Sequence, residues 1–354
     1  MTTPQSTPTT DHTSHRIRLA SRPVGEPQPS DFIHDDAPVR APEDGEVLLR
    51  TLYLSLDPYM RGRMSDAKSY AKPVEVGDVM VGATVSEVVE SRSPDFAPGD
   101  TVLGYGGWQT HSTEKAEILR KLDPALAPVT TALGVLGMPG FTAYAGLLAI
   151  GDPKPGETVA VAAATGPVGS AVGQIAKLKG ARAIGIAGGP EKVAYLEELG
   201  FDAALDHRAV DSAGNPALPA DLAAAAPDGI DVYFENVGGA VWDAVLPLLN
   251  TYARVPVCGV ASSYNATSLP EGPDRSQALM GTVLRSSLTL RGFIQTEFVP
   301  TMFSDFLRDM GQWVAEGKVA YREDITDGLD NAPATFVGML KGQNFGKTII
   351  RVAD

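Results

Sequence analysis

The chain has 354 residues, a formal net charge of -14 at pH 7 and one cysteine, Cys258. This length predicts two domains, each with its own apolar core, and the acidic balance argues against a nucleic-acid binder, because affinity for the phosphate backbone depends on lysine and arginine. The single cysteine excludes an intrachain disulfide and fits a reducing, cytoplasmic compartment, and no apolar run reaches the roughly 18 residues of a membrane-spanning helix.

Both ends of the chain differ in pattern from its middle. Residues 1–15 are rich in Thr, Ser and Pro and contain no apolar signal-peptide core, so we expect a disordered tail. From 16 to 140, short apolar runs alternate with Pro, Gly and Asp, which predicts a β-rich domain. Residues 318–354 return to short strands and turns, and we expect them to complete that first domain.

The middle segment, 141–317, alternates strands and helices at the intervals of βαβ units and a parallel sheet. The expected fold class is therefore α/β, with a doubly wound parallel sheet of the Rossmann type and a second, β-rich domain. Ligands of such sheets lie beyond the carboxyl ends of the strands. We therefore expect one ligand crevice, formed by the segments that follow the predicted strands.

The first strand-to-helix turn of this segment carries the pattern A-x-G-x-x-G, with Ala164, Gly166 and Gly169 at its small positions. Small residues let the backbone come close to a pyrophosphate that binds to free amides at the start of the helix. The first position is Ala rather than Gly, and a glycine-rich turn without a ligand would look similar. The motif alone leaves both readings open.

The end of the second predicted strand indicates the type of cofactor. It reads Ala187-Gly188-Gly189 and has no carboxylate, while Lys192 follows shortly after. NAD sites usually place Asp or Glu here, whereas NADP sites need a cation near the 2′-phosphate. The pattern favours NADP; the alternative is that Glu191 binds the ribose and Lys192 is a solvated surface residue.

The histidine and cysteine content argues against metal chemistry. One cysteine and five histidines, of which His12, His15 and His34 lie near the N-terminus, do not provide the ligand sets of zinc dehydrogenases. We therefore expect no metal. Cys258 lies in an apolar strand, which is more typical of a small core residue than of a nucleophile.

Tyrosines are the candidate catalytic residues of a metal-free reductase. Reduction of a carbon–carbon double bond conjugated to a carbonyl produces an enolate oxygen that needs hydrogen-bond donors, and neutral tyrosine hydroxyls suit this role. Tyr59, Tyr70 and Tyr264 are the candidates, although a tyrosine is most often a half-buried packing residue. Near Tyr59, Arg61 and Arg63 could bind an anion, but pairing of at least one with Asp57 or Asp66 is the simpler expectation.

Several stretches together resemble a known family: 56–64, 136–144, 163–174, 235–239, 258–265, 292–294 and 341–347. Over residues 22–352 the chain resembles the zinc-independent, NADPH-dependent branch of the medium-chain dehydrogenase/reductases. This branch contains the prostaglandin and leukotriene B4 reductases, and the resemblance is strongest to its bacterial curcumin reductases. It implies a GroES-like β-rich catalytic domain made of both chain ends, 16–140 and 318–354, with the Rossmann domain inserted at 141–317, and it suggests a homodimer.

The resemblance also implies a role for individual residues. The pyrophosphate would lie on Gly166–Gly169 and the 2′-phosphate on Lys192, while His207 stands where many prostaglandin reductases have tyrosine. Tyr59, Tyr70 and Tyr264 would act at the substrate. The expected cofactor-binding residues are Met138, Thr142, Gly166, Pro167, Val168, Gly169, Lys192, His207, Asn236, Cys258, Gly259, Ser262, Tyr264, Phe293, Ile294, Gln295 and Asn344.

The expected activity is NADPH-dependent reduction of the carbon–carbon double bond of α,β-unsaturated ketones and aldehydes. Hydride would reach the β-carbon, and Tyr264 with Tyr59 or Tyr70 would stabilise the enolate. The partner would be a small enone, with neither nucleic acid nor membrane. Two alternatives remain: a quinone oxidoreductase of the same fold, and an NADPH-binding sensor without catalysis.

Overall fold

The structure, a computed structural model, describes residues 9–269 and 272–353. The chain divides into two compact units. The first combines the segment that ends at Leu133 with the segment that begins at Glu323, and the second spans Gly134–Arg322. The second unit is thus somewhat longer than the 141–317 that the sequence suggested.

The helices and strands are as follows in chain order. The N-terminal part of the first unit contains β1 (Thr9–Leu19), β2 (Phe32–Arg40), β3 (Glu46–Ser55), α1 (Tyr59–Arg63), β4 (Thr84–Ser91), β5 (Thr101–Gly104), β6 (His111–Lys115) and β7 (Arg120–Lys121). The second unit contains α2 (Met138–Ala145), β8 (Thr158–Ala162), α3 (Pro167–Leu178), β9 (Arg182–Ala187), α4 (Pro190–Glu198), β10 (Ala203–Asp206), α5 (Leu218–Ala225), β11 (Ile230–Phe234), α6 (Gly239–Val245), β12 (Leu249–Val257), α7 (Ser276–Ser286), β13 (Thr289–Gly292) and α8 (Val299–Ala315). The C-terminal part of the first unit contains β14 (Glu323–Asp327), α9 (Ala332–Leu340) and β15 (Lys347–Arg351).

The first unit is built on a sheet with the order β14-β15-β3-β4-β5-β7, in which β6 also pairs with β3. Strands from both chain ends therefore share one sheet. β1 pairs with β2 in an antiparallel hairpin. The expected disordered tail is consequently wrong for 9–15, and its remaining residues, 1–8, lie outside the described part of the chain. The polar residues 9–15 hid the first part of the strand, because its apolar core residues, Ile17 and Leu19, come only at its end.

The second unit contains a parallel sheet with the order β10-β9-β8-β11-β12-β13. β8 is buried throughout, as is typical of a central parallel strand. Val159 and Val161 belong to one apolar core and Ala160 and Ala162 to another, so opposite faces of the strand are each covered. This confirms the predicted doubly wound α/β fold.

The helices of the described residues include none with the length and apolar character that a membrane span requires.

Candidate functional site

The turn between β8 and α3 is tight and leads directly into the helix. Ala163 adopts a left-handed conformation with φ of 50°, and its carbonyl accepts a hydrogen bond of 2.9 Å from the Gly166 amide. Gly166 is the N-cap of α3 and Pro167 occupies its first turn. Proline lacks an N–H, so the amides of Val168 and Gly169 are the first ones at this helix end that have no partner within the helix.

The two glycines of the turn are required for different reasons. A Cβ on Gly169 would lie 2.5 Å from the Ala163 oxygen and 2.7 Å from the Ala164 Cα, so this glycine permits close packing of the helix on the turn. A Cβ on Gly166 would meet only the Ala163 oxygen, at 3.3 Å. The protein's own atoms therefore leave room for a side chain at Gly166. We expect this of a glycine that is needed because a ligand, rather than the protein, comes close to the backbone.

A positively charged recess follows the ends of β9 and β10. A Cβ on Gly188 would lie 2.7 Å from Nε of Arg208 and 2.8 Å from Nε2 of His207. Desolvation and the charge of Arg208 lower the pKa of His207, and Lys192 adds to the effect, so these three side chains are neighbours. Sequence reasoning found Lys192 and His207 but missed Arg208, which reaches Gly188 only because β10 pairs with β9.

Asp206, the acidic residue of this region, binds two backbone amides. Oδ1 of Asp206 accepts hydrogen bonds from the amides of Gly189 and Arg208, at 2.9 and 2.8 Å. These bonds help to keep the pKa of Asp206 below its usual value despite partial desolvation. The carboxylate therefore fixes the turn between β9 and α4.

A buried glutamate shapes the segment after β11. Oε1 of Glu235 accepts hydrogen bonds from the amides of Val237 and Gly238, at 2.7 and 2.8 Å, and burial raises the pKa of this carboxyl. Next to it, Nδ2 of Asn236 donates to the Ala162 carbonyl at the end of β8. Glu235 thus positions the loop that carries Asn236, a role that its place in the motif did not reveal.

A cavity of about 430 Å³ opens at the carboxyl ends of β12 and β13. Residues around it include Cys258, Gly259, Tyr264, Phe293, Ile294 and Glu297. Burial raises the pKa of the Cys258 thiol to about 12, so it stays protonated and is no nucleophile at neutral pH. A Cβ on Gly259 would lie 2.9 Å from the Tyr264 hydroxyl, which places that hydroxyl over the strand end.

The remaining residues expected near the cofactor in this unit have local structural partners. Phe293 is buried and packs edge-on against Phe234, and the Ile294 amide donates to Glu297. Gln295 begins a 3₁₀ turn, Ser262 donates its hydroxyl to the Val237 carbonyl at 2.6 Å, and the Thr142 hydroxyl bonds the Met138 carbonyl within α2. Asn344 lies in the first unit, where its Nδ2 donates to the Gly346 carbonyl.

Tyrosines group together on the first unit. Tyr59 is half-buried at the start of α1, and its pKa is raised by burial above all and by the charge of Asp57. Tyr70 and Tyr105 are close enough to raise it further, and both are exposed. Tyr59 is therefore a neutral hydroxyl at physiological pH. Tyr105 escaped sequence reasoning; its only signal is the Gly104-Tyr105-Gly106-Gly107 turn after β5.

The segment before Tyr59 is held by a buried ion pair. Nζ of Lys347 contacts Asp57 at 2.8 Å and donates to the Leu56 carbonyl at 2.7 Å. Arg61 donates to the carbonyls of Pro23 and Gly25, and the expectation that Arg61 or Arg63 pairs with Asp57 or Asp66 stays a prediction. Lys347 comes from β15, almost the whole chain away, so no local pattern predicted it.

Family models match both units. The model described as N-terminal domain of oxidoreductase matches residues 15–122, and the model described as zinc-binding dehydrogenase matches 167–311. The composite β unit and the inserted parallel sheet agree with these matches. They define the class: a medium-chain dehydrogenase/reductase.

Individual relatives narrow the class. The chain is 60% identical to the NADPH-dependent curcumin reductase of Escherichia coli over 96% of this chain and 97% of that protein, and 44% identical to prostaglandin reductase 1 of Bos taurus over 93% and 96%. The crystal structure of CurA from Vibrio vulnificus in complex with NADPH matches with a TM-score of 0.91 and 51% identity, over 96% and 99%. The chain therefore belongs to the curcumin and prostaglandin reductase branch of the family, and the resemblance predicted from the sequence is confirmed.

Proposed function

We propose that this chain reduces the carbon–carbon double bond of α,β-unsaturated ketones and aldehydes, with NADPH as the hydride donor. The observation that carries the proposal is the cavity at the ends of β12 and β13, where the Tyr264 hydroxyl stands beside Gly259 and Phe293. The similarity to an NADPH-dependent curcumin reductase over nearly the whole chain supports it.

The residues of the second unit fit NADPH. Gly166–Gly169 is proposed to hold the pyrophosphate on the first amides of α3. The recess beside Gly188 fits a 2′-phosphate, because it presents the cations Lys192 and Arg208, with His207 beside them, where an NAD site presents a carboxylate.

Other residues are proposed to contact the nicotinamide half of the cofactor or the segments that hold it. They are Met138, Thr142, Asn236, Cys258, Gly259, Ser262, Tyr264, Phe293, Ile294, Gln295 and Asn344. Several present backbone amides or carbonyls at strand ends, where ligands of parallel sheets bind.

The chemistry requires a donor at the carbonyl oxygen of the substrate. NADPH supplies the hydride for the β-carbon of the enone, the carbonyl oxygen takes up the resulting negative charge, and a proton from solvent or tyrosine completes the α-carbon. We propose that Tyr264 donates a hydrogen bond to that oxygen, since a neutral hydroxyl stabilises developing charge without itself being ionised. Tyr59 and Tyr70 are proposed as further substrate residues.

The proposed mechanism needs no catalytic metal. Catalytic zinc in dehydrogenases is held by sets such as two cysteines and a histidine. The chain contains one cysteine, and its Cys258 thiol is held protonated. A conjugated double bond also needs less activation than an isolated ketone, because the charge is delocalised onto oxygen.

A homodimer is proposed through the edge of the parallel sheet. β13 is the edge strand, and all of its residues are exposed. Leu290 on this strand and Met280 and Leu284 on α7 add exposed apolar surface. Exposed edges of this kind are templates for pairing with another chain. Light scattering of a Leu284→Glu variant tests it: a monomer supports pairing here, and an unchanged dimer contradicts it.

A cytoplasmic location is proposed from the single cysteine, which fits a reducing compartment.

The activity is tested by following NADPH oxidation with three substrates: a trans-enone, its saturated ketone and a simple quinone. Consumption with the enone alone, or far faster with it, supports the proposal. Turnover of the quinone without enone activity would identify a quinone oxidoreductase. Tight NADPH binding with no oxidation by any of them would point to a non-catalytic binding protein.

A further inference from the structure

Two histidines and an aspartate converge on the first unit, and none of the three is among the residues proposed for NADPH or the enone. His15 on β1, His34 on β2 and Asp330, in the turn before α9, each bring one ligand atom within 4.8 Å of the others. Nε2 of His15 and Nδ1 of His34 lie 2.8 and 2.9 Å from the same oxygen of Asp330. The ligand types and their number match those of a transition-metal site with three protein ligands.

A fourth residue fixes the orientation of His15. Nδ1 of His15 lies 2.8 Å from Oδ1 of Asp36. A ring nitrogen bound to a carboxylate, with the other nitrogen left for the metal, is the usual outer arrangement around metal-ligating histidines. Asp36 thus sets which nitrogen of His15 points toward His34 and Asp330.

The three candidate ligand atoms converge on one point. Oδ1 of Asp330 lies within hydrogen-bond distance of a ring nitrogen of each histidine, at 2.8 Å from His15 and 2.9 Å from His34. A metal ion accepts electron pairs from two imidazoles and one carboxylate together.

We propose that His15, His34 and Asp330 bind one divalent transition-metal ion of the Zn²⁺ type, with Asp36 as the positioning residue. The side chains are only partly buried, with 34% of His15, 38% of His34 and 72% of Asp330 exposed, so an ion reaches the site from solvent. Zinc bonds of about 2.0–2.2 Å in a tetrahedron separate neighbouring ligand atoms by about 3.3 Å. The observed contacts of 2.8 and 2.9 Å need to open by only about half an ångström.

The bound ion would tie distant parts of the chain together within the first unit. His15 and Asp330 are 315 positions apart in sequence, and the ion would link the β1–β2 hairpin to the C-terminal turn. We infer a structural site that fastens this hairpin. The cysteine and histidine pattern of the sequence predicted no metal. The three residues of the cluster are far apart in the chain and come together only when it folds.

The experiment uses the full chain with its purification tag removed and its metals stripped with EDTA. Zn²⁺ is titrated in competition with a chromophoric zinc indicator, and melting temperature is measured with and without Zn²⁺. We expect saturable binding of one ion per chain and a melting temperature that Zn²⁺ raises and EDTA lowers again.

Variants distinguish this site from general affinity for metal. His34→Asn and Asp330→Asn should abolish the binding and the rise in melting temperature, and Asp36→Asn should weaken binding by about 10–100-fold. His12→Asn is the matched control, because His12 lies on the same strand but stacks on His111 outside the cluster. Circular dichroism and NADPH binding of the metal-free variants verify folding.

Three results would overturn the proposal. They are the lack of saturable Zn²⁺ binding to the wild-type chain, binding that Asp330→Asn leaves unchanged, and equal loss of binding in His12→Asn.

Discussion

Exchanging the two glycines of the β8–α3 turn for alanine should separate folding from cofactor binding. In Gly169→Ala the new Cβ would lie 2.5 Å from the Ala163 oxygen and 2.7 Å from the Ala164 Cα, both of which are backbone atoms. The turn would have to move by about 1 Å, and forced overpacking of this kind costs about 1–3 kcal/mol.

The turn resists such movement. Ala163 already adopts φ of 50°, a strained conformation for a residue with a side chain. Alanine is favoured over glycine inside a helix by about 1 kcal/mol, which offsets part of the cost. The net expectation for Gly169→Ala is a free energy of unfolding lower by about 1 kcal/mol, the middle of a range of about 0–2 kcal/mol.

Gly166→Ala should behave in the opposite way. Its Cβ would meet one oxygen at 3.3 Å, and its φ of -73° suits alanine. We expect an unfolding free energy within about 1 kcal/mol of wild type, the difference being the poorer N-cap, and NADPH affinity lower by about tenfold or more, because the methyl group faces the pyrophosphate.

The assays are urea unfolding of the apo-protein followed by circular dichroism, and NADPH binding followed by fluorescence. Wild-type stability of Gly169→Ala would contradict the close packing of α3 on the turn. Unchanged NADPH affinity of Gly166→Ala would contradict pyrophosphate binding at this position.

Three further variants test other parts of the account. Arg208→Ala should lower the affinity for NADPH about tenfold and leave the affinity for NADH unchanged, because one charge-assisted bond to the 2′-phosphate is lost. Equal loss of affinity for both cofactors in a binding titration would show that Arg208 does not bind the 2′-phosphate. Lys347→Met should lower the unfolding free energy, measured by urea titration, by about 3–5 kcal/mol, because it leaves Asp57 buried without its cation. The double variant with Asp57→Asn should recover much of this loss. If it recovers nothing, the broken ion pair is not the cause of the loss. Tyr264→Phe should lower kcat with an enone and leave NADPH affinity nearly unchanged. An unchanged kcat would show that Tyr264 only packs against its neighbours.

The parts of the fold with strong local patterns could be predicted from the sequence. The β8–turn–α3 unit combines a buried apolar strand with small residues at fixed positions, so its nature was evident before the sheet was known. The first part of β1 was missed because residues 9–15 are polar and show no apolar alternation, and this part pairs with β2 through its backbone. Local sequence does not encode a partner strand.

Three of the features that were missed from the sequence form only when separate segments of the chain come together in the fold. Arg208 approaches Gly188 through the parallel alignment of β10 with β9. Lys347 and Asp57 are 290 positions apart in sequence. They come into contact because β15 pairs with β3. The His15, His34 and Asp330 cluster depends on both chain ends in the same way.

The most direct test of the proposed activity is the position of the transferred hydride. NADPH deuterated at C4 of the nicotinamide, as each of its two epimers, is incubated with the enzyme and a trans-enone, and the product is examined by NMR. Reduction of the double bond predicts a saturated ketone with its carbonyl intact and, for one epimer, deuterium on the β-carbon. Deuterium on the carbonyl carbon, giving an allylic alcohol with its double bond retained, would contradict it.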